Sequence, residues 1–97
     1  MKKVLLFSAL AIAISSALIG CGDKSPEQHI ESAQQYIQLK DDAAAVIELK
    51  SAIQQAPDNA QARVLLGRIY LKIGEGVAAD KELTRALKNG AKLTDIA

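Results

Sequence analysis

The sequence is poor in the residues that small proteins use to build chemistry or to staple themselves together. Its 97 residues hold one cysteine, one histidine, two prolines, no tryptophan and three aromatic side chains, Phe7, Tyr36 and Tyr70. A single cysteine rules out an internal disulfide, so folding must rest on packing. His29 has no cysteine or second histidine at ligand spacing, which excludes a His/Cys metal site and leaves it to read as a partly packed helix residue. An excess of charge of one sign is also missing. Twelve Lys and Arg stand against eleven Asp and Glu, which removes the electrostatic footprint of a nucleic-acid binder. The length allows one domain, and if the first twenty residues are not part of the fold, fewer than eighty remain to build a core. What is present beyond residue 26 is Ala, Leu, Ile, Gln and Lys, the composition of an all-helical protein.

The long apolar run lies at the start. Met1-Lys2-Lys3 is followed by VLLFSALAIAISSALIG, which reads as a charged n-region, an apolar stretch and small residues before a boundary, the plan of an export signal. An uncleaved membrane anchor is the alternative, since Val4 to Gly20 sits at the short edge of a bilayer span. The Ser residues within the run and the missing charged stop beyond it argue against that. Cys21, alone at the boundary, could be a core residue, a nucleophile, a redox sensor or an attachment point. The segment Leu18-Ile19-Gly20-Cys21 resembles the lipobox of bacterial lipoproteins. That resemblance implies that residues 1–20 are a signal peptide cut before Cys21, and that Cys21 carries a diacylglyceryl group with further acylation of the new amino terminus. Each buried methylene contributes about 0.8 kcal/mol and one chain alone holds only marginally, so two or three chains would hold the protein durably on a membrane. In enterobacterial lipoproteins an Asp directly after the cysteine favours the inner membrane. Here that position is Gly22, so the expected address is the periplasmic face of the outer membrane of a Gram-negative bacterium. The lipidated cysteine and tether, residues 21–25, span at most about 17 Å.

Shifting the remainder by 34 residues brings two halves into register. Tyr36 falls on Tyr70, Ala45 on Ala79, Glu48 on Glu82, Leu49 on Leu83 and Ala52 on Ala86, with Ile30 on Val64 and Ala33 on Gly67 as conservative matches. The copies are residues 26–59 and 60–93, each expected to form two helices. In the first copy Ser25-Pro26-Glu27-Gln28 supplies an N-cap, a first-turn proline and a capping-box Gln. The first helix is expected to run to about Leu39 and the second from Ala43 to about Gln55, with Asp41 or Asp42 as its cap. Pro57-Asp58-Asn59 separates the copies, Gly74-Glu75-Gly76 is the turn of the second, and Asn89-Gly90 its stop.

A 34-residue helix–turn–helix unit with this pattern resembles the tetratricopeptide repeat. The residues that carry the likeness are Ala33, Tyr36, Ala45, Leu49, Ala52 and Pro57 in the first copy, and Leu66, Gly67, Tyr70, Ala79, Leu83 and Ala86 in the second. Small residues let the two helices cross closely, Tyr and Leu fill the wedge between them, and Pro ends the unit. His29 and Arg63 depart from the family's frequent Trp, Ser32 from its Leu, and Ala91 from its closing Pro. The fold expected is all-α, two such repeats in an α-solenoid behind the lipoprotein signal, against a plain four-helix bundle with coincidental self-similarity. Residues 94–97 would begin a further helix capped by Thr94 or Asp95. Stacked repeats normally number about three or more, so the chain is expected to be a fragment of a longer repeat protein or to borrow a cap from a partner. The signal ending in GCG, with Ser-Pro-Glu and repeats close behind, is similar to the start of PEP-CTERM system tetratricopeptide-repeat lipoproteins. That likeness implies an accessory scaffold of an exopolysaccharide and exosortase system.

Catalytic constellations are missing. Asp41-Asp42 reads as a cap pair, and Gly74-Glu75-Gly76 lacks the strand and lysine of a phosphate loop. The chain is expected not to be an enzyme and to need no cofactor beyond the lipid on Cys21. Binding remains. The resemblance places a concave groove on the first helix of each unit, lined by Glu27, Ile30, Glu31, Gln34, Ile37 and Gln38 in one copy and Gln61, Val64, Leu65, Arg68, Leu71 and Lys72 in the other. The expected partner is a protein or peptide, with the membrane contacted through lipid and no small-molecule substrate. Two functions stay open: an envelope scaffold, and a small pilotin-like assembly factor that escorts one protein to the outer membrane. A reading frame continuing beyond Ala97 would favour the scaffold; a stable domain ending there would favour the escort.

Overall fold

A computed structural model describes residues 23–96. The export signal, Leu18, Ile19, Gly20 and Cys21 lie outside the described residues. Five helices follow in order: α1 (Pro26–Gln38), α2 (Asp42–Gln55), α3 (Ala60–Lys72), α4 (Gly76–Lys88) and a single-turn α5 (Leu93–Ile96). The described part is all-helical and built of adjacent pairs, α1 against α2 and α3 against α4, with α2 joining the pairs through α3.

Local chemistry sets the starts and stops. At α1 the Ser25 hydroxyl accepts from the Gln28 amide while the Gln28 side chain accepts from the Ser25 amide, a complete capping box, and Pro26 costs nothing because its missing N–H falls in the first turn. Asp41 caps α2 by accepting from Ala44 N–H, so α2 begins at Asp42, one residue before the expected Ala43. Asn59 caps α3 in the same way through Ala62 N–H at 3.0 Å. Helices α1, α3 and α4 end alike. The amide two residues past the cap returns to the carbonyl three residues before it: Asp41 to Tyr36, Glu75 to Tyr70 and Ala91 to Ala86. That geometry needs a left-handed residue in between. Gly74 (φ 84°) and Gly90 (φ 101°) supply it freely, whereas the first repeat uses Lys40 (φ 63°). The start of α5 corrects an expectation. Thr94 and Asp95 lie inside the turn and do not cap it from outside; instead the Asp95 carboxylate reaches back to accept from the Lys92 amide at 2.9 Å.

Packing follows the 34-residue period. Ala33, Ala45, Leu49, Ala52 and Ala62 have no solvent exposure and share a core with Ile30, Leu66 and Ile69. Tyr36, Ile37, Val46, Ile53, Leu65 and Tyr70 close its edges. Leu49 is the largest side chain entirely removed from water, a burial that stabilises the fold by about 1.5–3 kcal/mol. In the second pair the helices meet closely at Gly67. A Cβ added to Gly67 would stand 2.6 Å from Leu83 Cδ2, 2.7 Å from its Cγ and 3.6 Å from the Ala79 carbonyl oxygen. The close approach at Gly67 is therefore made chiefly by Leu83. Ala79 and Ala86 are fully buried beside it, and Pro57 is exposed in the α2–α3 link. The two first helices differ on their outer side. Where α3 presents Ala62, Leu66 and Ile69 to α2, α1 carries Gln28, Ser32 and Gln35 at the equivalent positions, so its outward face is polar.

Candidate functional site

A groove of about 430 Å³ runs beside α3. Gln34 of α1 forms one wall, Gln61, Val64, Leu65 and Arg68 of α3 the floor and flank, and Gly90, Ala91 and Asp95 the far wall. The site exists because α3 is flanked on one side by α1 and on the other by the turn of chain that leads into α5. Its polar side chains are two primary amides, a guanidinium and the Asp95 carboxylate, and its floor is aliphatic. This mixture suits a polypeptide, whose backbone needs donors and acceptors while its side chains take apolar contacts.

The expected groove residues divide. Gln34, Leu65 and Arg68 come together, with Gln61 and Val64. Glu31 and Gln38 are exposed on α1 but do not line the groove. Ile30 is a correction: at 4% exposure it belongs to the core, because it faces α2 and not solvent. Lys72 turns away to pair with Asp42 of α2 at 3.1 Å. Arg68 does not present a wholly free guanidinium, since its Nη2 donates to the backbone carbonyl of Asp95. That bond ties α5 to α3 across the groove.

Behind the groove, one electrostatic device occurs twice. His29 Nδ1 lies 2.6 Å from Glu48 Oε2, and Arg63 Nη1 lies 2.9 Å from Glu82 Oε2. Each links the first helix of a pair to the second, and the partners are related by the 34-residue shift. A carboxylate only accepts, so the His29 Nδ1 carries the proton it donates. That bond holds the Glu48 carboxyl below its ordinary value, against the opposing push of burial, and Lys24 at 3.5 Å adds attraction. Arg63 is buried at 5% exposure and also donates from Nε to the Pro57 carbonyl at 2.9 Å, which fixes the α2–α3 link. In the sequence Glu48 and Glu82 match across the 34-residue shift, whereas His29 and Arg63 depart from the repeat pattern. The available signal was that each copy places a cationic or protonatable residue 19 positions before its Glu.

Paired helices repeating with one period, sharing a core from pair to pair and leaving a groove along a first helix, define a helical-repeat scaffold for protein–protein interaction. The tetratricopeptide-repeat family model matches residues 36–96, 61 of the 97 residues, and the chain belongs to that family. Neither a curated protein nor a solved structure matches it significantly.

Proposed function

We propose that this chain is a lipid-anchored protein–protein interaction scaffold of a Gram-negative cell envelope, accessory to an exopolysaccharide and exosortase system of the PEP-CTERM type. The observation that carries the scaffold reading is the groove in which Gln34, Gln61 and Arg68 surround the aliphatic floor of Val64 and Leu65. An extended or helical segment of a partner lies there, its backbone met by the amides and its apolar side chains by the floor. The anchor reading rests on Leu18-Ile19-Gly20-Cys21, and the address, the periplasmic face of the outer membrane, on Gly22. In this reading the chain performs no chemistry. It holds a partner at a fixed short distance from the lipid surface.

The test has two arms in cells. Palmitate labelling and membrane fractionation of wild type and Cys21→Ser should show label and membrane retention only in the wild type. A photo-crosslinker at Gln34 should capture an envelope protein, with a yield that falls on Arg68→Glu, while the same crosslinker at Gln35 on the outward side of α1 should not. Unlabelled wild type rejects the anchor, and equal capture at the two positions rejects the groove. A single captured protein that loses its outer-membrane location when this chain is deleted would replace the scaffold with the escort.

A further inference from the structure

We propose that Lys24 and Glu48 clasp the chain where it enters α1, so that the outward stripe of α1 rests on the lipid headgroups and the groove is turned away from them. This orientation rests on the lipid anchoring of Cys21 and adds the face that meets the membrane. Both repeats share one device. In the second, the buried Arg63 pairs with Glu82 and also donates from Nε to the Pro57 carbonyl at 2.9 Å, which holds the chain that enters α3. In the first, Glu48 takes that part. Its Oε2 meets His29 Nδ1 at 2.6 Å, and its Oε1 meets Nζ of Lys24, two residues before the helix, at 3.5 Å. The His29 contact fixes the carboxylate, so Lys24 finds its acceptor already in place.

The direction of entry follows from the repeat. What enters α3 is α2, which lies along Ala62, Leu66 and Ile69; the equivalent stripe of α1 is Gln28, Ser32 and Gln35. Lys24 Nζ also donates to Ser32 Oγ at 3.4 Å, which lays the entering segment on that stripe. Cys21 precedes Lys24 by three residues, at most about 11 Å of chain. A lipid on Cys21 therefore brings the stripe to the headgroup layer, itself about 5–7 Å deep. The chemistry of the stripe fits that surface. The amides of Gln28 and Gln35 and the Ser32 hydroxyl are neutral donors for phosphate and ester oxygens, and Lys24 adds a positive charge. The carboxylates of α1, Glu27 and Glu31, stand between the stripe and Gln34, where they do not meet phosphate head-on. Gln34, the α1 wall of the groove, lies about 100° around the helix from Gln35 and about 160° from Ser32. A partner therefore reaches the groove from the aqueous side.

The test places the full chain, purified from membranes, in phosphatidylcholine vesicles that carry a nitroxide on the headgroup of a minor lipid. A bimane fluorophore is attached at Gln35→Cys or, one residue earlier, at Gln34→Cys, both exposed positions. The intact mass of the chain reads the lipid on Cys21. Quenching should be about three-fold or more stronger at 35 than at 34, the bias that one exposed ion pair can impose between two orientations. Lys24→Glu, which sets a carboxylate against Glu48, should bring the two positions level, whereas Lys24→Arg should keep the difference, with helicity by circular dichroism unchanged in both. A lipidated chain quenched equally at the two positions, or more at 34, overturns the orientation, as does a difference that survives Lys24→Glu. A mass without lipid removes the anchor and the orientation together.

Discussion

Arg63 and Glu82 meet at 2.9 Å between α3 and α4, and 34 residues earlier His29 and Glu48 meet at 2.6 Å between α1 and α2. One cross-helix contact to a glutamate thus serves both repeats, with an imidazole in the first and a guanidinium in the second. The Arg63 pair is the more buried, with 6% and 9% of the two side chains exposed against 15% and 17% in the first repeat. Removing the carboxylate leaves a buried guanidinium with too few acceptors. Glu82→Ala should therefore destabilise the fold by about 3–5 kcal/mol, and Glu48→Ala by clearly less, read from urea melts at neutral pH.

Glu48 also makes stability depend on acid. Its carboxyl is held below the ordinary value of 4.5, first by the His29 hydrogen bond. A lowered folded-state value means the unfolded chain binds the proton more readily. The contribution is present in full above the unfolded value and disappears as pH falls through the folded one. Melts between pH 6 and pH 3 should show wild type losing stability below about pH 4.5 faster than Glu48→Gln. Parallel curves for the two proteins would contradict this assignment.

Lys40 occupies the left-handed position that glycine fills at Gly74. A non-glycine residue there costs about 1–2 kcal/mol, while glycine's extra freedom in the unfolded chain costs about 0.5–1 kcal/mol. Lys40→Gly should stabilise the protein by about 0.5–1 kcal/mol, the difference of those terms. Gly74→Lys should destabilise it to a similar extent, both measured by thermal melts.

Gly67 and Leu83 form a close crossing between α3 and α4. Gly67→Ala drives its methyl to within 2.7 Å of Leu83 Cγ and forces the leucine to move, an overpacking cost of about 1–3 kcal/mol. In a double-mutant cycle with Leu83→Ala most of the Gly67→Ala cost should vanish, because the obstructing atoms are gone. Additive effects would show that the strain arises elsewhere.

The architecture was legible because the determinants of helix pairs are local. Ser25, Asp41 and Asn59 announce helix starts by side-chain chemistry, Gly74 and Gly90 mark stops, and Tyr36 over Tyr70 sets the period. What escaped depends on which faces meet after folding. Ile30 belongs to the core because α2 lies on its side of α1, and the short helix signal alone did not separate that face from the groove. The bond from Arg68 to the Asp95 carbonyl, and the partnership of Arg63 with Glu82, need the path of the chain between them. The left-handed Lys40 was hidden because lysine gives no sign of that conformation, although Gly74 at the equivalent place was a clue.

The central claim is that two copies of one helix pair fold as a single unit through the shared α2–α3 core. The two tyrosines report on it directly, since Tyr36 sits in the first pair and Tyr70 in the second. Urea unfolding of the full chain should be followed by tyrosine fluorescence in Tyr70→Phe, which leaves Tyr36 as the only tyrosine, and in Tyr36→Phe, which leaves Tyr70. The account predicts that each fluorescence transition coincides with the loss of helix measured by circular dichroism on the same variant. A fluorescence transition well separated from the helical one in either variant would mean that the repeats unfold independently, and would contradict it.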